Sequence, residues 1–240
     1  MGYSGEWCPF SSGEGNLTDN INRVLTWVEI TNMQHPLLNQ VQLIYESSFV
    51  EAERREFHDL VSRYSDRTVE HAGYLYALIQ DAQVVGITAF SVFARTSMIH
   101  LSIIATRQNQ RKRGLGGVLM DFTINNGQVW LADRRQSCLG MVWEVERIEA
   151  SPTETERAIR QKRVAFYEHS GGHLIGDFTL PPLRPGQQAL DLTVMYRPPP
   201  ANMPMPITEI VETVCREAYD LPDNHPAYLS IRQTWEQRKP

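Results

Sequence analysis

The chain has 240 residues and a formal net charge of −5, from 23 Lys and Arg against 28 Asp and Glu. Apolar residues make up 42% and charged residues 21%, near the globular average, which excludes a disordered or fibrous chain. The acidic balance speaks against a nucleic-acid surface, and apolar runs such as Ile99–Ala105 fall far short of the roughly 20 residues that cross a bilayer.

Residues 1–20 are rich in Gly, Ser and Asn and read as a mobile leader. They hold no basic stretch followed by an apolar run, so no secretory signal is expected. Val24–Ile30 alternates apolar and polar and reads as a first strand. Pro36 opens a helix carrying Leu37, Leu38, Val41, Ile44 and Tyr45, its missing N–H suiting the first turn. Glu51–Arg63 reads as a second helix, with Phe57, Leu60, Val61 and Tyr64 on one face. Gly73–Gln80 and Val84–Phe93 are β-branched and aromatic runs parted by Asp81-Ala82-Gln83, a hairpin signal. Met98–Thr106 is almost wholly apolar, as in a strand buried on both faces. A basic loop with glycines, residues 110–117, leads into a helix marked by Val118, Leu119, Phe122 and Val129. Then come a strand over Cys138–Ile148, a helix over Glu154–Ser170 ending at Gly171-Gly172, and strands over His173–Leu180 and Ala189–Arg197. Pro198–Pro206 holds five prolines and reads as a linker. Two short amphipathic helices follow, over Ile207–Tyr219 and Ala227–Gln237.

This order gives an α+β (α/β) domain over residues 21–197, a mixed central sheet flanked by helices, with a Pro-rich and helical extension over 198–240. The strand–helix–strand passage from 98 to 148 predicts a parallel pair with a crossover helix. The cysteines Cys8, Cys138 and Cys215 form no CxxC, so neither a disulfide framework nor structural zinc is expected, and a reducing cytoplasm is the default. His169 and His173 stand four apart, but Ser170-Gly171-Gly172 breaks the helix between them, and no metal site is expected.

The loop Arg111-Lys112-Arg113-Gly114-Leu115-Gly116-Gly117 follows a buried strand and opens a helix. Helix N-termini carry unpaired N–H groups and partial positive charge, so this is a natural anion site. The glycines remove side chains that would keep a phosphate from the backbone, and the three cations add charge. Neither the Walker A spacing nor GxGxxG is met, because Leu119 holds the third glycine position. A solvated basic turn would look the same in isolation.

Arg111-Lys112-Arg113-Gly114-Leu115-Gly116 resembles the Q/R-x-x-G-x-G/A signature of the GCN5-related N-acetyltransferase (GNAT) superfamily, where it follows the fourth strand as it does here. Downstream, Phe166-Tyr167-Glu168 on a helix before Gly171-Gly172 resembles that family's second marker. The resemblance covers roughly residues 24–197. It implies a GNAT-like fold and an N-acyltransferase that passes an acyl group, acetyl first, from acyl-CoA to an amine of a small molecule or peptide by direct attack. It implies that the end of strand four, Ile104, Ala105 and Thr106, pairs with the pantetheine arm. It further implies that the pyrophosphate rests on Arg111, Lys112, Arg113, Gly114, Leu115, Gly116 and Gly117, and that Tyr167 protonates the leaving thiolate. Where the family often has Asn, seven residues before that tyrosine, this chain has Arg160. A longer acyl chain, or a fold that binds CoA without turnover, remains an alternative, as does assembly as a homodimer.

The base is read from the residues themselves. Glu144 and Glu146 alternate with Trp143 and Val145 on strand five and share one face. Burying an unpaired carboxylate is costly, so both are expected to face a wet cleft and to receive or deprotonate an amine, which predicts a basic acceptor; the alternative is a strand end exposed to solvent. His100 on strand four is a second candidate, or a core histidine with its partners satisfied.

Overall fold

The computed structural model describes residues 24–49, 54–180, 189–199 and 205–236. The leader, the start of the expected second helix at Glu51, the loop at 181–188 and most of the proline linker lie outside the described residues. Seven strands form one sheet in the order β1-β2-β3-β4-β5-β7-β6. They are β1 Thr26–Glu29, β2 His71–Gln80, β3 Gln83–Phe93, β4 Met98–Thr106, β5 Met141–Glu146, β6 His173–Leu180 and β7 Leu190–Arg197. Only β4 and β5 run parallel, joined by the crossover helix α3, Leu115–Ala132. The mixed sheet and its single parallel step are those expected from the sequence.

Helices cover both faces. On one face lie α1, Leu38–Ser48, and α2, Phe57–Ser65. The second helix starts at Phe57, because Arg54–Glu56 are not helical. Ile44, Tyr45, Leu60 and Tyr64 from this pair meet Ile87, Ala89, Ile103 and Ala105 in one buried cluster. On the other face α3 and α4, Glu154–His169, cover Phe90, Leu101, Trp143 and Val145. The Thr153 side chain caps α4 by accepting from the Glu156 N–H at 3.2 Å, satisfying one of its unpaired donors.

The C-terminal residues cover the rest of the first face. Helix α5, Ile207–Glu212, runs into a π-helical turn, Thr213–Ala218, and is followed by α6, Pro226–Glu236. Ile210, Val214, Tyr228, Ile231 and Trp235 share a core with Val142, Phe178, Leu192 and Val194. Arg63 on α2 donates to the Ala218 carbonyl at 2.6 Å, and buried Thr213 donates to Thr96 at 2.8 Å. The extension is thus fastened to both halves of the sheet, and it lies against the face of β5 that carries Val142 and Glu144.

Candidate active site

Parallel strands β4 and β5 pair only at Ile99 with Met141 and His100 with Val142. Beyond these residues they part. The β3–β4 register supplies a reason: Ala89 faces Ile103 but Phe90 faces Leu101, so Ser102 is an extra residue in β4. Such a bulge bends its strand and increases twist. Among the described residues the far edge of Ile104, Ala105 and Thr106 has no strand partner, while their near edge pairs with β3. A cleft of about 650 Å³ occupies the gap.

That cleft brings together most of the residues singled out from sequence. Ile104, Ala105, Thr106, Arg111, Glu144, Glu146 and Tyr167 all line it. Lys162 on α4 lines it too, a further cation that sequence reading passed over. Trp143 borders the cleft, and its buried indole N–H has no partner among the described residues.

The rest of the loop divides by role. Gly114 precedes α3 with φ +77°, a left-handed conformation that favours glycine. Lys112 and Arg113 are exposed and lie outside the cleft lining. The Leu115 side chain is buried with Leu78, Val85 and Leu119, so only its backbone can meet an anion. Gly116 has a packing reason of its own: a Cβ there would stand 2.9 Å from the Phe166 ring, so its missing side chain makes room for α4. Nothing lies within 4 Å of a Cβ placed on Gly117, so that position is open to solvent or ligand.

Tyr167 packs against Trp143 with ring centres 5.1 Å apart. Burial raises its phenol well above the usual tyrosine value, which keeps it a neutral hydrogen-bond donor at ordinary pH. Arg160 lies outside the cleft lining; it donates to the Arg147 carbonyl at 2.7 Å and pairs with Glu156. Arg163 is the arginine of this helix that lines the cleft.

The two carboxylates share a face, as expected, but they are not solvated. Glu146 is hydrogen-bonded by Arg163. The Glu144 side chain is only 6% exposed. His100 Nε2 stands 3.0 Å from Glu144 Oε2, and the Tyr219 hydroxyl donates to the same oxygen at 3.1 Å. A carboxylate only accepts, so the imidazole proton belongs on Nε2, and Ser102 Oγ meets Nδ1 at 3.0 Å. The expense of burial is real, but partners from other elements offset it where wet surroundings were expected. Tyr219 closes the π-helical end of the extension, and burial beside Glu144 raises its phenol well above the usual value. No sequence signal marks Tyr219 or Ser102: one sits beyond the linker, the other inside an apolar strand.

Among the described residues no group of three or more His, Cys, Asp or Glu could hold a metal ion. No described helix is long and apolar enough to cross a membrane.

No family model matches the chain, and no curated protein matches it in sequence. Solved structures match in shape. A Bacteroides thetaiotaomicron protein assigned to the GNAT family of acetyltransferases aligns with a TM-score of 0.60 and 20% identity, over 82% of this chain and 99% of its own. A protein assigned as a phosphinothricin N-acetyltransferase aligns with a TM-score of 0.51 and 17% identity, over 73% of this chain and 98% of its own. The chain has the fold of the GNAT acetyltransferases.

Proposed function

We propose that the chain transfers an acyl group, acetyl first, from acyl-CoA to a primary amine. The observation that carries this reading is the cleft where β4 and β5 part. It unites a strand edge unpaired among the described residues, several cations, a buried phenol and a pair of carboxylates. The open edge of Ile104–Thr106 suits an amide-bearing arm, which would complete the sheet there as an added strand would. Arg111, Lys162 and the first-turn N–H groups of α3 suit the phosphates.

The chemistry then asks little beyond placement and two proton movements. The amine nitrogen attacks the thioester carbonyl carbon, forming the N–C bond. The C–S bond breaks, and its electron pair leaves on sulfur. Glu144 takes the amine proton, directly or through one water, and later returns it to solvent. Tyr167 donates to the sulfur as the thiolate forms and is reprotonated from solvent.

Gly117→Val tests the cofactor end with little effect on the fold, since the position is open. Isothermal titration with acetyl-CoA should give at least a tenfold weaker affinity, about 1.4 kcal/mol. Tyr167→Phe should lower kcat by about 100-fold while leaving acetyl-CoA affinity in place. Unchanged affinity in the first variant together with an unchanged rate in the second would overturn the reading. Mass spectrometry of co-purified acyl-CoA would set the acyl length.

A further inference from the structure

Behind the cleft lies a second, smaller cavity of about 140 Å³. It shares Phe49, Ser102, Glu144, Glu146 and Arg163 with the cleft, so the two spaces meet at the carboxylates. Its walls come from both helices of the first face, from β6 and β7, and from Tyr219 of the extension. We propose that this cavity is the acceptor pocket, and that it takes an amino acid-like zwitterion with a short apolar side chain. The amine faces Glu144, the carboxylate meets Arg55 and Arg63, and the side chain lies against leucines. This rests on the acyl-transfer reading above and names the acceptor for it.

Size comes first. A cavity of about 150 Å³ holds one benzene-sized body, so the buried part of the acceptor has roughly six to nine heavy atoms. A polyamine chain or an amino sugar exceeds that.

Polarity comes second. Leu60, Leu180, Leu190 and Leu192 supply an apolar wall, which a short aliphatic side chain would desolvate at about 25 cal/mol per Å² buried.

Charge decides the class. Three arginines, Arg55, Arg63 and Arg163, and two carboxylates line the cavity. Glu146 is paired with Arg163. Glu144 is held by His100 and Tyr219, with no arginine on it among the described residues. Arg55 has no carboxylate partner among the described residues. The nearest for Arg63 is Asp220, 3.9 Å away and largely exposed, while its other nitrogen holds the Ala218 carbonyl. Among the described residues, then, Arg55 borders the cavity without a counter-ion and Arg63 has only the exposed Asp220 at 3.9 Å. A purely basic acceptor, the class expected from sequence, would add positive charge beside them. A carboxylate would find the fork of donors that guanidinium offers to planar anions. One molecule with both an amine and a carboxylate matches both ends.

The test is a thiol-release assay with acetyl-CoA and four acceptors: L-leucine, L-leucinamide, isoamylamine and spermidine. L-leucine should be acetylated with kcat/KM at least tenfold above the other three, since each of them lacks the carboxylate. Arg55→Gln should lower kcat/KM for L-leucine at least tenfold with acetyl-CoA affinity retained by titration. Acetylation of isoamylamine or spermidine at rates equal to or above L-leucine would overturn the proposal while leaving acyl transfer standing. No transfer to L-leucine in a protein that binds acetyl-CoA would overturn it as well. Failure to bind acetyl-CoA would instead remove the acyl-transfer reading on which it rests.

Discussion

At the proposed cofactor end of the cleft, one continuous stretch from Met98 to Ala132 supplies strand, loop and helix. At the proposed acceptor end, Arg55 and Arg63 from the first third of the chain, His100, Ser102 and Glu144 from the sheet, and Tyr219 from the extension meet around one small space. The first end is local in sequence, and its geometry follows from neighbours on the chain. The second exists only once distant segments have packed. The difference separates what tolerates change: the loop can be altered one residue at a time, whereas the acceptor end depends on the seating of the whole C-terminal layer.

The largest expected effect falls where the two ends touch. Glu144→Gln keeps shape and one acceptor oxygen but loses the basicity proposed for the amine proton. Acyl transfer should fall by about 100- to 10,000-fold, the usual span for a general base. Acetyl-CoA affinity, measured by titration, should stay within a factor of two or so, because the phosphates and the strand edge lie at the other end. Full activity in this variant would make Glu144 a structural residue of the network.

Next is the seating of the extension. Trp235 is 1% exposed and meets Gly176 of β6, where a Cβ would stand 2.5 Å from its indole nitrogen. Trp235→Ala should cost about 3–5 kcal/mol in denaturant unfolding. It should also depress acyl transfer beyond any loss of folded protein, because Tyr219 is carried by the same layer. If transfer is unaffected in the folded fraction, the acceptor end does not depend on that layer.

The contrast also accounts for what could be read from sequence. The apolar periods of β2 to β4, the glycine loop and the tyrosine of α4 are local patterns, and the structure places them in the order they predict. The shared face of Glu144 and Glu146 follows from the period of a strand and was equally legible. Their solvation was not, because the partners that bury them, His100, Arg163 and Tyr219, come from three other elements. Gly116 belongs with these: only the approach of α4 reveals that its absent side chain accommodates Phe166. The bulge at Ser102 left no mark at all in an apolar run, although it opens the cleft.

The smallest effect tests the sharpest part of the comparison, a single hydroxyl from the last part of the chain acting on the centre of the sheet. Tyr219→Phe keeps the buried ring and removes only the donor to Glu144 Oε2, which still has His100 at 3.0 Å. A hydrogen bond to a charged group contributes about 1.5–3 kcal/mol, so kcat should fall about tenfold if the bond positions the carboxylate for the amine. The phenol of Tyr219 is raised by burial and by the neighbouring carboxylate, so it stays protonated past its ordinary value and adds no limb of its own near neutral pH. Its loss should lower kcat while leaving acetyl-CoA affinity in place. A merely structural tyrosine would lower the unfolding free energy and leave kcat of the folded protein unchanged. A lowered kcat with unchanged acetyl-CoA affinity would make the extension a working wall of the proposed acceptor pocket; an unchanged kcat would reduce it to a cover.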